Sequence, residues 1–347
     1  MKANETTSVP RRQGDTERPQ VLGAGNIHPA GLAVLRQAEG ITLTQVQEVS
    51  VESYAPYLAD ADALLIRTQP LTAKEIAAAP NLKVVSRHGV GYDSVDVESL
   101  TERNIPLTIV GDVNSLSVAE HTLSMLLALA KRITYFDSGI RAGEWNRRNS
   151  FSAVEIAHRT LFILGFGRIG REVARLAQSF RMNVVAYDPY LPDEVFQQQN
   201  VRRVTDIQAG LQHADAVTVH LPLSGEKPLI GREELALMKP GAMLINTARG
   251  GIVDENALAE SLSQNHLGGA GLDVLKAEPA DLNAALLQHS DRLILTPHTA
   301  GLTEEAAMRM SVSAAENIVN FFNGSLDTKL VVNQQVLALH DLMNQLP

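Results

Sequence analysis

From Val21 onward, short apolar runs alternate with stretches of helical periodicity. Ala63-Leu64-Leu65-Ile66 and Leu82-Lys83-Val84-Val85 read as strands, each running into a polar or glycine-rich segment. From Leu161 the pattern sharpens into six strand candidates: Leu161–Leu164, Val184–Tyr187, Ala216–His220, Met243–Asn246, Gly269–Leu272 and Leu293–Thr296. Helical segments lie between most of them, which predicts an α/β fold with a parallel, doubly wound sheet. Ser117-Val118-Ala119-Glu120 has the form of a capping box and predicts a helix to about Ile133. Met125, Leu126 and Leu129 lie on one of its faces, Leu123, Leu127 and Ala128 on the other. A helix apolar nearly all round is buried, here between domains or between subunits. Thr303 is the expected N-cap of a helix that carries Glu304 and Glu305 in its first turn and ends at Asn323-Gly324. Val331-Val332-Asn333 has no partner strand in the second domain, so the chain is expected to return to the first. The expected organisation is a disordered tail over 1–19, one domain from 20–116 with 302–347, and a second over 117–301 inserted into it.

Composition narrows the function classes. With 347 residues, 45% hydrophobic and 20% charged, the chain suits about two globular domains. A net charge of −9 offers no basic surplus for a phosphate backbone, so no nucleic-acid partner is expected. Cysteine is absent, which excludes disulfides, thiolate metal sites and thiol catalysis. None of the ten histidines falls in a metal-binding pattern, so no metal is expected. The polar first twenty residues carry no apolar signal region, and the apolar run at Leu126-Leu127-Ala128-Leu129-Ala130 is too short for a bilayer. No membrane association and a cytoplasmic location are the default expectation.

The candidate chemistry lies at strand ends. Gly165-Phe166-Gly167-Arg168-Ile169-Gly170 follows an apolar strand and opens a helix, the context in which a glycine fingerprint brings backbone close to a pyrophosphate. Asp188 ends the next strand, where a carboxylate binds ribose hydroxyls. Arg249, in Asn246-Thr247-Ala248-Arg249-Gly250-Gly251, is placed to hold a carboxylate and polarise an adjacent carbonyl. His298 follows Thr296-Pro297 and is a natural proton donor to an alkoxide. Glu278, ahead of Pro279, would fix the tautomer of His298 and favour its protonated form. Asp273 ends a strand and is counted with the cofactor contacts. In Ser86-Arg87-His88-Gly89-Val90-Gly91-Tyr92-Asp93, successive backbone amides of a glycine-rich turn form a clamp for a carboxylate. Arg67 adds positive charge nearby, and the His88 side chain is read as structural although its position is counted in the substrate set.

These motifs resemble the D-isomer-specific 2-hydroxyacid dehydrogenases over about residues 60 to 335. Arg87–Asp93, Asn114-Ser115-Leu116-Ser117-Val118-Ala119-Glu120, Gly165–Gly170, Tyr187-Asp188-Pro189, His220-Leu221-Pro222-Leu223, Asn246–Gly251, Gly271-Leu272-Asp273-Val274, Glu278-Pro279 and Thr296-Pro297-His298 carry the likeness. The resemblance implies two Rossmann-like domains: an NAD domain inserted into a discontinuous, flavodoxin-like substrate domain, with substrate and NAD meeting in the cleft between them. It implies His298 as acid/base, Glu278 as its partner and Arg249 as binder of carboxylate and carbonyl. Expected NAD contacts are Gly165, Gly167, Arg168, Ile169, Gly170, Asp188, His220, Leu221, Pro222, Thr247, Ala248, Arg249, Asp273, His298, Ala300 and Gly301. Expected substrate contacts are Arg67, His88, Gly89, Val90, Gly91, Asn114 and Arg249. A formate-oxidising branch of the family has glutamine where Glu278 stands, which argues against formate oxidation. No regulatory domain follows residue 335, so amino-acid control is not expected.

Arg67, Arg87 and Arg147-Arg148 would suit a second anionic group, which favours a 3-phosphoglycerate-like substrate over hydroxypyruvate or glyoxylate. A corepressor that senses NAD is the alternative of a different class, disfavoured by the absence of a basic patch. Asp188 with no Arg or Lys in Pro189-Tyr190-Leu191-Pro192 predicts NAD over NADP. The apolar helix from Val118 predicts a homodimer built around it, and in similar enzymes the segment at Trp145 reaches the neighbouring subunit's active site.

Overall fold

The computed structural model describes residues 18–337 apart from 224, 226, 282 and 290. The tail expected over 1–19 therefore lies, but for its last two residues, outside the described residues. Two compact units emerge, Met1–Gly111 with Ala307–Pro347, and Asp112–Ala306.

In the first unit five strands form one parallel sheet: β1 (Gln20–Ala24), β2 (Thr42–Val46), β3 (Ala63–Ile66), β4 (Val84–Arg87) and β5 (Leu107–Thr108), in the order β2-β1-β3-β4-β5. This is the flavodoxin-like order. Leu64, Ile66 and Val85 are fully buried, as strands covered on both faces require. The strand expected from Leu82 begins at Val84 instead. Leu82 donates its amide to the Ala79 carbonyl and so still belongs to the preceding turn. At the far edge Val331 forms an antiparallel bridge to Thr108. Buried Asn333 secures that return: its Oδ1 accepts from Leu107 N at 2.9 Å and its Nδ2 donates to Ile105 O at 2.9 Å. The helix Glu304–Phe322 crosses the helix Pro29–Gln37 at Gly31, where a Cβ would lie 2.4 Å from the Ser311 carbonyl oxygen. Only glycine permits that approach.

The second unit holds a seven-stranded parallel sheet. Its strands are β6 (Thr160–Leu164), β7 (Asn183–Tyr187), β8 (Arg202–Arg203), β9 (Ala216–Val219), β10 (Met243–Asn246), β11 (Gly269–Leu272) and β12 (Leu293–Leu295). Their order is β12-β11-β10-β9-β6-β7-β8, so the chain reverses direction across the sheet between β6 and β9. Such a switch point opens a ligand crevice at the carboxyl ends of the strands. Sequence patterning finds six of the seven. β8 is two arginines and presents no apolar run.

The helix expected from Ser117 begins earlier, at Ser115, with Asn114 in the N-cap position. Ser117 is buried in the first turn and its hydroxyl pairs with that of Thr303 at 3.1 Å, so the capping box does not form. The helix ends at Ala130; Arg132 takes a left-handed φ of 52°, and a second helix follows over Ile133–Arg141. Within its own unit the first helix packs against the helix Arg168–Ser179 and strands β10 to β12. Gly269 and Gly271 supply the room, since a Cβ there would meet Leu129 at 2.9 Å and Met125 at 3.0 Å. Among the described residues no helix is long and apolar enough to cross a membrane, and no cluster of histidines and carboxylates could hold a metal ion.

Candidate active site

The loop after β6 is built for close approach. Gly165 has a φ of +94°, and a Cβ there would sit 2.6 Å from the His220 carbonyl oxygen. A Cβ on Gly170 would fall 2.1 Å from the Gly165 carbonyl oxygen. Gly167 faces open space, with nothing within 4 Å of its missing Cβ. It occupies the N-cap of the helix Arg168–Ser179 with no side-chain cap bond, which leaves the first-turn amides to an anion. Arg168 is exposed at that terminus and Ile169 is half-buried. The Asp188 carboxylate is fixed by two amides, Phe166 N on Oδ2 and Tyr190 N on Oδ1, each at 3.0 Å. After β9, His220 Nε2 pairs with Thr218 Oγ1 at 2.9 Å, while Nδ1 is sealed from solvent with no partner among the described residues. Burial pulls the His220 ring down to about 3, so it is neutral at physiological pH. Leu221 and Pro222 continue that loop, the first half-buried and the second exposed. An uncapped helix, a glycine cradle, a carboxylate at the second strand and an orphaned ring nitrogen together fit a dinucleotide.

The other half of the sheet carries the candidate catalytic side chains. Loops after β10, β11 and β12 hold Arg249, Glu278 and His298. Buried Asn246 shapes the first: its Oδ1 accepts from Ala248 N at 3.0 Å and its Nδ2 donates to Arg249 O at 2.9 Å. Arg249 Nη1 donates to the Ala248 carbonyl at 2.7 Å. Gly250 lets this loop press on the next, where a Cβ would lie 1.9 Å from the Leu275 carbonyl oxygen. Glu278 Oε1 accepts from Leu275 N at 3.1 Å, and its Oε2 lies 2.9 Å from His298 Nδ1. His298 and Glu278 keep side-chain exposures of 52% and 42%, so the pair is open to a ligand. With Nδ1 engaged by the carboxylate, Nε2 is the nitrogen available for proton transfer. His298 holds a φ of +56°, a left-handed conformation that a histidine takes only where its surroundings impose it.

Asp273 imposes it. Its carbonyl accepts the His298 amide at 2.7 Å. Its carboxylate accepts from Thr299 N at 2.8 Å, Ala300 N at 2.9 Å and the Thr296 hydroxyl. At 1% exposure Asp273 is buried and braces the His298 loop. Ala300 is buried beside it, with its amide engaged by Asp273. Gly301 packs on Asn114, whose Nδ2 would be 2.9 Å from a Cβ there. The helix Ser115–Ala130 is not apolar all round either. Ser117, His121 and Thr122 bond to Thr303, Thr296 and Thr247, at 3.1, 2.9 and 3.0 Å. Thr247 thereby directs its hydroxyl to the helix. The sequence reading missed His121 as a support, although its i+4 spacing from Ser117 was visible.

In the first unit, Arg67 and Arg87 follow or end the adjacent strands β3 and β4. Arg67 Nη1 donates to Asn26 O at 3.3 Å and Arg87 Nη1 to His88 O at 2.6 Å. Gly89 takes a φ of +144°; among the described residues neither the Val90 nor the Gly91 amide donates to a backbone carbonyl. His88 is 4% exposed and bonds Ser311 Oγ through Nε2 at 2.8 Å, so its side chain does not meet a substrate. Burial first, and the Arg67 and Arg87 charges with it, bring the His88 ring down to about 4. Arg147 pairs with Glu144 and donates to Tyr135 O at 2.7 Å and Ser138 Oγ at 3.1 Å.

Residues 123–300 match the family model of the D-isomer specific 2-hydroxyacid dehydrogenase NAD binding domain. A D-3-phosphoglycerate dehydrogenase of Methanocaldococcus jannaschii is 39% identical over 83% of this chain and 56% of its own length. An (S)-sulfolactate dehydrogenase of Chromohalobacter salexigens is 42% identical over 74% of this chain and 83% of its own. The solved D-lactate dehydrogenase of Aquifex aeolicus, complexed with NAD and lactic acid, superposes with a TM-score of 0.80 at 27% identity, covering 90% of this chain and 99% of that one. The chain spans little more than half the length of the phosphoglycerate dehydrogenase relatives it matches.

Proposed function

Given that the chain belongs to the D-isomer-specific 2-hydroxyacid dehydrogenase family, we propose that it is an NAD-dependent oxidoreductase interconverting a D-2-hydroxy acid and its 2-keto acid. The observation that carries this reading is the 2.9 Å contact of His298 Nδ1 with Glu278 Oε2 on the loops after β12 and β11. Bound NADH supplies the hydride. His298 supplies the proton that a forming alkoxide needs, from Nε2, and takes it back in the reverse direction. Glu278 holds the ring in that tautomer. Arg249 holds the carboxylate and polarises the carbonyl. In the first unit the Val90 and Gly91 amides form a turn suited to a carboxylate. Gly165–Gly170, Asp188, His220, Leu221 and Pro222 hold the nucleotide.

We further infer a substrate with a second anionic group. Phosphoglycerate and sulfolactate, in the names of two relatives, both carry one. Arg67 and Arg87 beside the amide turn supply matching charge. A panel of 2-keto acids with NADH tests this. Phosphorylated or sulfonated keto acids should exceed pyruvate and glyoxylate in kcat/KM by about tenfold or more. Arg67→Met should narrow that gap; equal use of charged and uncharged side chains would refute the substrate class and leave the reaction standing.

The homodimer is proposed on different grounds from the buried helix. Ile133, Ile140, Trp145 and Phe151 stand 54%, 57%, 64% and 90% exposed along one segment, an apolar surface suited to a second copy. Light scattering that finds only monomer at micromolar concentration would remove this reading.

A further inference from the structure

Asp188 has no basic residue following it in sequence, yet the fold brings one to it. β8 pairs with β7, Ala186 opposite Arg203, and so ends beside Asp188. Arg203 Nη2 donates to the Asp188 carbonyl oxygen at 3.1 Å. Its Nη1 donates to Asp193 Oδ1 at 2.6 Å. The guanidinium lies over the Phe196 ring, 5.2 Å from its centroid. Phe196 in turn stacks at 4.8 Å on Phe166 of the glycine fingerprint, whose amide holds the Asp188 carboxylate. Arg203 Nε is sealed from solvent without a hydrogen-bond partner. The guanidinium is therefore fixed within one residue's reach of the adenosine-ribose position, and its charge is answered by Asp193.

We propose that Asp193 and Arg203 form a charge lock that determines cofactor choice: Arg203 is a phosphate ligand in reserve, and Asp193 keeps it occupied. This rests on the reading of Gly165–Gly170 and Asp188 as the nucleotide site. In the native chain two carboxylates act against a ribose 2′-phosphate. Asp188 meets it as a like charge, and Asp193 holds the Arg203 guanidinium that would otherwise bind it. Replacing Asp188 alone removes the repulsion and leaves Arg203 engaged. Replacing both frees a planar donor pair for the phosphate oxygens. Asp193 opens the helix Asp193–Gln198, whereas Arg203 stands on the sheet; the acceptor is thus separable from the stacked guanidinium.

The test uses calorimetry with AMP and adenosine 2′,5′-bisphosphate on the whole chain, and kcat/KM with NADH and NADPH beside it. Asp188→Ser should weaken AMP and improve the bisphosphate only slightly. Asp188→Ser with Asp193→Asn should tighten the bisphosphate by about tenfold more, with AMP unchanged between the two. Adding Arg203→Met to that pair should erase the gain. Asp193→Ala replaces Asp193→Asn where melting shows that the amide variant does not fold. The proposal is overturned if the double variant binds the bisphosphate no better than Asp188→Ser, or if the gain survives Arg203→Met. Failure of the native chain to bind AMP would instead overturn the nucleotide site itself.

Discussion

Two histidines in this molecule occupy equivalent places, one residue past a β4 arginine and three past the end of β12, and their environments make them opposite instruments. His88 is buried, bonded to a serine and flanked by two guanidiniums that, with burial, hold it near 4 and hence neutral. His298 is half-exposed, bonded to a carboxylate, and carried on a left-handed residue that Asp273 braces. Residue type and strand-end position are shared; what differs is which side of the loop the ring takes and which charge meets it. A buried neutral imidazole is a packing and hydrogen-bonding group. An exposed imidazole on a carboxylate is suited to carry a proton.

The sharpest break of this comparison is a paired substitution. His298→Gln should lower kcat for keto-acid reduction by roughly 10²- to 10⁴-fold, the usual contribution of a positioned acid. His88→Asn should leave kcat within about fivefold and act on stability, as loss of a buried group does. Steady-state kinetics beside urea unfolding separates the two; comparable losses of kcat would end the distinction.

Acid should separate the histidines next. His88 and His220 refuse a proton in the fold until the pH falls to about 4 and about 3. In the unfolded chain both take one near the ordinary histidine value of about 6.5. Below that value the unfolded state binds more protons, so stability falls as pH drops through 6.5 and goes on falling until the folded rings titrate. For His88 the full loss is about 3 kcal/mol, to order of magnitude. The urea midpoint should decline between pH 7.5 and 5, and His88→Asn should flatten that decline. A slope unchanged in the variant would detach it from His88.

Glu278→Gln comes third. It keeps a hydrogen-bonding side chain beside His298 and removes the charge. We expect kcat to fall about 30-fold, within the span a positioning carboxylate contributes. KM for the keto acid should stay within about threefold, because Glu278 acts through His298 and not on the substrate. An unchanged kcat would leave Glu278 as scaffold only.

What the sequence revealed and what it hid follow the same physics. Apolar runs are periodic and local, so β10 and β11 could be read to the residue, and the Arg249, Glu278 and His298 loops followed from them. β8 has no such run; its placement comes from pairing with β7. That one short strand carries Arg203 to Asp188, so the surroundings of Asp188 looked free of positive charge when read in sequence order. The bracing role of Asp273 was hidden for a related reason. A carboxylate at a strand end is the same letter whether or not loop donors surround it, and only the fold shows that three do. The helix from Ser115 read as apolar all round because a serine, a histidine and a threonine among leucines say nothing of which loops lie opposite.

The smallest expected effect tests why His88 is held as it is. Ser311 is fully buried, and its hydroxyl serves both His28 N at 3.0 Å and His88 Nε2 at 2.8 Å. Ser311→Ala removes one oxygen and leaves two buried polar groups with one partner fewer each. The cavity is too small to matter beside that loss, and a buried donor left unmade costs about 1 to 2 kcal/mol. Since the His88 ring is neutral and remote from proton transfer in this reading, kcat should stay within about twofold while the urea midpoint falls. Ser311→Thr keeps the hydroxyl, but its added methyl crowds the Gly31 crossing, so it should restore the hydrogen bonds and still cost stability. Were Ser311→Ala to lower kcat as Glu278→Gln does, the seam around His88 would be part of the catalytic apparatus, and the contrast between the two histidines would have to be redrawn.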